Sequence, residues 1–168
     1  MSPFALLQTG CLVAFALLLI VAGWQDLRTM RIRNGLSLAV VAVFALWAVA
    51  GVSLERLSLM SLAASLACAT AVFCLGAAAF AGGVVGGGDV KLLAAVSLFA
   101  GPTLLVDFAL VTALVGGAMA LAVLAGAPIG PAAALPDGTM RTRLQRGLPY
   151  GPAIAGGGLW VAAMLALS

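Results

Sequence analysis

Long apolar segments dominate this chain and restrict it to one class of fold. We identify six of them, at residues 5–25, 35–52, 58–80, 89–101, 104–126 and 148–167. A helix needs about 20 apolar residues to cross a bilayer, and most of these segments approach or exceed that length. Because backbone polar groups in lipid must bond within their own segment, the spans should be helices. The sequence therefore predicts an all-α, polytopic membrane protein with about six transmembrane helices.

The composition excludes the water-soluble classes of protein. Of the 168 residues, 64% are hydrophobic and 8% are charged, whereas soluble domains average about 25% charged residues. We expect one integral membrane domain over residues 1–168, in contact with membrane lipid and without nucleic-acid binding. The chain has no histidine, and its three cysteines lie in apolar segments. Since metal sites need clustered ligands, we expect no metal and no other cofactor. The composition does not indicate an oligomeric state.

The fourth apolar segment is shorter than the others. It follows the glycine run 86–88, and Gly101-Pro102 interrupts it at its far end. Proline cannot continue a helix without losing a backbone hydrogen bond. We therefore expect either a short helix that begins inside the bilayer or a longer, kinked helix.

Basic residues predict the orientation of the spans, since they favour cytoplasmic connections. Arg56 is the one basic residue in the connections that follow spans 2 and 4. The other seven follow spans 1, 3 and 5: Arg28, Arg31, Arg33, Lys91, Arg141, Arg143 and Arg146. The connections after spans 1, 3 and 5 are therefore predicted to be cytoplasmic, with both termini on the outer side. Residues 126–147, rich in Pro, Gly and Ala, are expected to form a flexible, basic cytoplasmic loop.

Two acidic residues stand out, because ionisable groups in apolar spans are costly and mark functional sites. Asp26 and Asp89 each lie at the predicted cytoplasmic end of a span. Two carboxylates can share a proton, so that one acts as base on a water and the other as acid. Asp89 begins its helix and Asp26 ends its own, and the helix dipole favours Asp89 as the ionised base. The alternative is two unrelated interfacial caps. No catalytic role is expected for the remaining acids, Glu55, Asp107 and Asp137.

Other hydrolytic chemistries lack their residues. A metalloprotease HExxH motif and a Ser-His-Asp triad both need histidine, and no GxSxG is present. If the chain is a hydrolase, the two aspartates are therefore its candidate machinery. Gly86, Gly87 and Gly88 would allow an extended substrate to approach closely, or they form a packing surface between helices.

Three stretches resemble the signatures of the bacterial type IV prepilin peptidases. The residues "GGGDVK", 86–91, match the GxGDxK signature of that family. The residues "DLRTMRIRN", 26–34, resemble its first signature, with Arg33 in place of a proline. The residues "LPYGPAIAGG", 148–157, resemble the entry to its last helix. The chain looks like the small members that serve Flp (tight-adherence) pili, which lack an N-terminal cysteine region, so methyltransferase activity is not expected.

The resemblance implies a GxGD-type aspartic protease in the bacterial inner membrane. Such an enzyme removes the short basic leader from a prepilin or pseudopilin precursor at the cytoplasmic face, with Asp26 and Asp89 as catalytic residues. Residues that match or flank the signatures are implied to bind substrate or support the site: Gly86, Gly87, Gly88, Lys91, Asn34, Arg28 and Tyr150.

Simpler roles remain open for several of these residues. Lys91 and Tyr150 are equally expected as interfacial anchors, Arg28 as a topogenic charge, and Asn34 as the cap of span 2. Two other functions also remain open. One is a presenilin-like intramembrane protease, although Gln25 rather than a tyrosine precedes Asp26. The other is a small transporter or structural membrane subunit, although its helices offer few polar residues for a relay.

Overall fold

The computed structural model describes residues 3–127 and 149–168, and the regular structure within them is helical. The helices are α1 (Pro3–Thr29), α2 (Asn34–Ser53), α3 (Leu59–Ala81), α4 (Gly87–Leu124) and α5 (Gly151–Leu167). The first four are each long and apolar enough to cross a membrane, and α5 is a shorter apolar helix. This confirms the all-α, polytopic class. The predicted loop at 126–147 lies almost entirely outside the described residues, as do Asp137, Arg141, Arg143 and Arg146.

Helix α4 contains both the fourth and the fifth predicted spans, and it reverses direction between them. Gly101 has a non-helical backbone, with φ 54° and ψ −167°. A Cβ added to Gly158 would lie 3.1 Å from Val96, and one added to Gly157 would lie 2.9 Å from Phe108. In a straight helix Val96 and Phe108 would be about 18 Å apart, yet both contact the same turn of α5. The two arms of α4, residues 87–100 and 102–124, therefore run antiparallel.

The first arm of α4 is short, as the fourth apolar segment of the sequence is. At 1.5 Å per residue, residues 87–100 extend about 21 Å, less than the hydrocarbon thickness of about 30 Å. A Cβ on Gly76 of α3 would lie 2.8 Å from Val90, and one on Gly101 would lie 2.9 Å from Ser65 Oγ. Helix α3 therefore packs antiparallel to this first arm.

A cluster of aromatic rings fixes the first arm of α4 between α1 and α2. Phe15 of α1 stacks on Phe99 with their ring centroids 4.0 Å apart. Phe44 of α2 meets the same ring edge-on at 5.2 Å, and Trp47 lies 5.6 Å away. Such aromatic pairs contribute beyond the apolar area that they bury. The cluster fixes the position of the first arm along the axis of α1.

Helix α5 packs antiparallel to α1 and brings its first residue to the end of α1. A Cβ on Gly23 would lie 3.3 Å from Ala155 Cβ and 3.3 Å from Pro152 Cα, and one on Gly158 would lie 2.6 Å from Leu19. The end of α1, the start of α5 and the start of α4 therefore meet at one end of the bundle, which we call the aspartate end. The start of α1 and the end of α5 lie at the opposite end.

The described basic residues follow the same division. Four lie near the aspartate end, at Arg28, Arg31, Arg33 and Lys91. Arg56 lies at the opposite end, where its guanidinium donates to Gln8 Oε1 at 3.5 Å. The described part of the chain thus carries its excess of positive charge at the aspartate end.

Candidate active site

Asp26 and Asp89, which lie on different helices, come together at the aspartate end. Asp26 is buried, with 4% of its surface exposed, and Asp89 is half-buried. The two carboxylates lie close enough for the charge of one to act on the other. Glu55 lies in the connection after α2 at the opposite end, and Asp107 lies in the second arm of α4. Among the described acids, the structure therefore pairs the two that the sequence selects.

The carboxylate of Asp26 is held by the start of α5. The backbone N–H of Gly151 donates to Asp26 Oδ2 at 2.7 Å in a buried hydrogen bond. Gly151 is the first residue of its helix, so its amide has no acceptor within the helix. The sequence singles out Tyr150 in this stretch, whereas the structure places the neighbouring Gly151 against Asp26. The Tyr150 side chain is 41% exposed, and its support of the site stays a prediction.

The carboxylate of Asp89 is held by the start of its own helix. Gly86 is the N-cap of α4, and its backbone N–H donates to the Asp89 carboxylate. This is the half of a capping box in which an acidic residue at the third helical position reaches back to the cap. A Cβ on Gly86 would lie 2.8 Å from Asp89 Oδ2, so the glycine leaves space for this return. The sequence of three glycines and an acid thus forms a helix start with its carboxylate folded inward.

These contacts change the argument from helix dipoles. Asp26 ends α1, but it also lies at the positive end of α5, and Asp89 lies at the positive end of α4. Both carboxylates therefore adjoin a helix N-terminus, and at Asp26 the positive end of α5 offsets the negative end of α1, which weakens the distinction between the two. Asp89 as base and Asp26 as proton donor stay predictions.

The other two glycines before Asp89 allow neighbouring segments to approach α4. A Cβ on Gly88 would lie 3.0 Å from the backbone oxygen of Ile32, in the α1–α2 connection (residues 30–33). A Cβ on Gly87 would lie 3.3 Å from the ring of Phe80 at the end of α3. Both glycines thus take part in packing within the chain. Their role in admitting a substrate backbone stays a prediction.

Lys91 joins the start of α4 to the start of α2. Its ammonium donates to Asn34 Oδ1 at 3.0 Å, and both side chains are exposed. Asn34 was expected to cap α2, but the N-cap is Arg33, which makes no hydrogen bond through its side chain. The expected cap was therefore wrong, and the amide of Asn34 bonds Lys91 instead. Arg33 has φ −71°, a value that proline also adopts, so the backbone at this position is compatible with the proline of the signature.

The side chain of Arg28 lies over a neighbouring side chain of its own helix, α1. Its guanidinium carbon lies 4.5 Å from the centre of the Trp24 ring, an arrangement that stabilises a cation over an aromatic face. Trp24 is 58% exposed, so the pair lies on the outer surface of α1. Its participation in substrate binding stays a prediction.

The arrangement offers one buried and one half-buried carboxylate, each with a backbone donor. In residues 3–127 and 149–168, no three His, Cys, Asp or Glu side chains cluster as a set of metal ligands. Two carboxylates in electrostatic contact can divide one proton between them. Such a pair can accept a proton from a water and deliver another to a leaving group.

One comparison with known proteins gives a match. The sequence model of the type IV leader peptidase family matches residues 13–121. This range contains Asp26, Asp89, Asn34 and Lys91, and it ends before Gly151. None of the curated proteins and none of the solved structures matches the chain.

Proposed function

Because this chain belongs to the type IV leader peptidase family, we propose that it removes the leader peptide from a prepilin or pseudopilin precursor, with Asp26 and Asp89 as its catalytic pair. Family membership supports peptidase activity in general. The observation that supports the aspartic mechanism is the electrostatic interaction between two carboxylates from distant parts of the chain, one of which is buried.

The proposed reaction is direct attack by water on the scissile peptide bond. Asp89, which is the more accessible, takes a proton from the water while the water oxygen bonds to the carbonyl carbon. Asp26 gives its proton to the carbonyl oxygen, which yields a neutral tetrahedral intermediate. Collapse of this intermediate breaks the C–N bond, the leaving nitrogen gains a proton from Asp89, and Asp26 regains one from the intermediate. Both carboxylates then return to their initial states.

The proposed location of the reaction is the cytoplasmic face of the bacterial inner membrane. The positive-inside rule supports this orientation, since Arg28, Arg31, Arg33 and Lys91 lie near the aspartate end and Arg56 lies at the other. Both chain termini would then be periplasmic. A precursor would present its leader to the aspartates from the cytoplasm and keep its apolar helix in the bilayer.

The choice of a pilin-type substrate is supported by the match to the family and by the three signature stretches. The presenilin-like alternative shares the GxGD element but cuts within the substrate helix. A transporter or structural subunit would use the same aspartates for ion relay, and membership of a peptidase family favours the enzyme.

The test is co-expression with a candidate prepilin, followed by mass spectrometry of the processed product. Wild type should release the leader, whereas Asp26→Ala and Asp89→Ala should leave the precursor intact. Asp107→Asn is the matched control, because it removes an acid of the same membrane domain that lies apart from the pair. Processing by either alanine variant would overturn the aspartic mechanism. A cut within the apolar helix would favour the presenilin-like alternative.

A further inference from the structure

We infer that Gly151 is a positioning residue for Asp26, and that the active site therefore includes the start of α5. The inference rests on the proposed catalytic role of Asp26. It extends the site beyond residues 13–121, the range that the family model covers. Two independent features of Gly151 support it: the hydrogen bond that its amide makes, and the space that its missing side chain leaves.

The backbone N–H of Gly151 is available to donate a hydrogen bond to another helix. It occupies the first position of α5, where backbone N–H groups lack an acceptor in their own helix. Pro152 follows it and has no N–H. The Gly151 donor is directed to Asp26 Oδ2, at 2.7 Å and away from solvent. The carboxylate thus caps the N-terminus of a helix that lies 125 positions away in sequence, in the manner of an anion bound at a helix start.

The absence of a side chain at Gly151 leaves the space that Asp26 occupies. A Cβ at this position would lie 2.5 Å from Asp26 Cβ, 2.9 Å from Oδ2 and 3.0 Å from Cγ. Real Cβ atoms essentially never make contacts as short as the first, so Asp26 or the start of α5 would have to move. Gly23 lies one turn away in α1, and a Cβ there would lie 3.3 Å from Pro152 Cα. The two helices therefore pack closely around the carboxylate of Asp26.

These contacts give the amide a direct influence on the pair. Within the described residues, the Gly151 amide is the hydrogen-bond donor of the Asp26 carboxylate. It fixes the rotation of that carboxylate and thereby the geometry that it presents to Asp89. A small misplacement of a reacting group is enough to reduce a rate substantially. The start of α5 is thus part of the catalytic geometry, and more than a packing element.

The first experiment removes the donor without changing the volume of the site. Nonsense suppression with glycolic acid replaces the Gly151 amide N–H by an ester oxygen. Because this amide has no partner within α5, the helix loses no internal donor. The ester weakens the Tyr150 carbonyl, which accepts from the Ile154 N–H, and the control below carries the same kind of change. In the proposed reaction Asp26 becomes negatively charged as it gives up its proton, and a hydrogen bond to a charged group is stronger than one to a neutral group. We therefore expect loss of this donor to lower kcat at least about tenfold, with KM within about twofold of wild type.

The matched control is the same replacement at Gly156. This residue lies in the second turn of α5 and packs on Val115 of α4. Its amide lies within the helix and bonds the preceding turn, so its ester should lower the thermal stability more than the Gly151 ester does. Its kcat should nevertheless stay within about twofold of wild type. A purely structural role for Gly151 would give the opposite order, with kcat following stability in both variants.

The second experiment fills the space instead. Gly151→Ala should lower kcat at least about tenfold through displacement of Asp26, whereas Gly156→Ala should keep kcat near wild type, since a Cβ there meets Val115 at 3.2 Å. The inference fails if the Gly151 ester is folded and retains wild-type kcat. The proposed function fails separately, if Asp26→Asn retains wild-type activity. An inactive Asp26→Asn with a fully active Gly151 ester would overturn the inference alone.

Discussion

The hydrogen bond between Lys91 and Asn34 gives a prediction about how the site is held together. It joins the residue two positions after Asp89 to the first residue of α2, at 3.0 Å. The same two segments touch again where Gly88 approaches Ile32. Loss of the Lys91 bond should therefore loosen the α1–α2 connection against the start of α4 and disturb the pair of aspartates.

The expected magnitude is modest because the bond is exposed. A hydrogen bond to a charged group is worth about 1.5–3 kcal/mol when it is shielded from water, and exposed ionic contacts typically retain about 0.2–1 kcal/mol. Both Lys91 and Asn34 are exposed. We therefore expect a coupling of about 0.5–1 kcal/mol, which corresponds to about a two- to fivefold loss of kcat/KM.

The assay is a double-mutant cycle on prepilin cleavage by the purified membrane protein. Lys91→Met and Asn34→Leu should each lower kcat/KM by that factor, and the double variant should lose no more than either single one. Lys91→Arg and Asn34→Asp, which keep a donor and an acceptor, should remain near wild type. Arg31→Met is the matched control, because it removes an exposed cation near the same end of the bundle.

Multiplicative losses in the double variant would refute the reasoning. They would mean that Lys91 and Asn34 act independently, each through other contacts or through the substrate. Unchanged activity in both single variants would also refute it, since the bond would then have no influence on the pair.

Three further predictions concern the scaffold and its orientation. Gly101→Ala should lower the free energy of unfolding by about 1–3 kcal/mol, because φ is 54° there. Gly117→Ala should leave the free energy of unfolding unchanged, because a Cβ there has no neighbouring atom within 4 Å. Equal effects of the two substitutions would contradict the reversal of α4 at Gly101. Phe99→Ala should cost about 3–5 kcal/mol in the same denaturation assay, and a loss below about 1 kcal/mol would contradict the aromatic core. In oriented vesicles, the Arg31→Cys variant should react with an impermeant thiol reagent added to the cytoplasmic side. The Arg56→Cys variant should react with the reagent added to the opposite side. Labelling of both variants from the same side would contradict the topology.

The pairing of Asp26 with Asp89 was accessible from sequence because charge is rare in these helices. Each acid ends or begins an apolar segment, and the alternation of basic connections assigns both to the same end. The cost of placing charge in an apolar span made them candidates. The structure then brings the two carboxylates into electrostatic contact.

The role of Gly151 was not accessible in the same way. The donor is a backbone amide, and every residue other than proline carries one. What distinguishes Gly151 is its position, which depends on the packing of α5 against α1. An argument from the dipole of α1 alone likewise omitted the start of α5, since that helix follows more than a hundred residues later. A glycine between two prolines near a helix start was the available signal.

The reversal in α4 was only half predictable. Gly101-Pro102 marks an interruption, and sequence alone allows either a short helix that begins inside the bilayer or a longer, kinked helix. The decision depends on contacts that both arms make with α5, through Val96 on one side and Phe108 on the other. Such long-range packing has no local signature in the sequence.

The steady-state cleavage rate of purified aspartate variants tests the central claim most directly. Asp26→Asn keeps an oxygen that can accept from Gly151, so it removes the ionisable group with little change at the start of α5. We expect Asp26→Asn and Asp89→Asn each to lower kcat at least about 100-fold. The double variant should be no slower than the slower single one, because the two groups act as a unit. Wild-type kcat in either single variant, or fully multiplicative losses in the double one, would contradict the account.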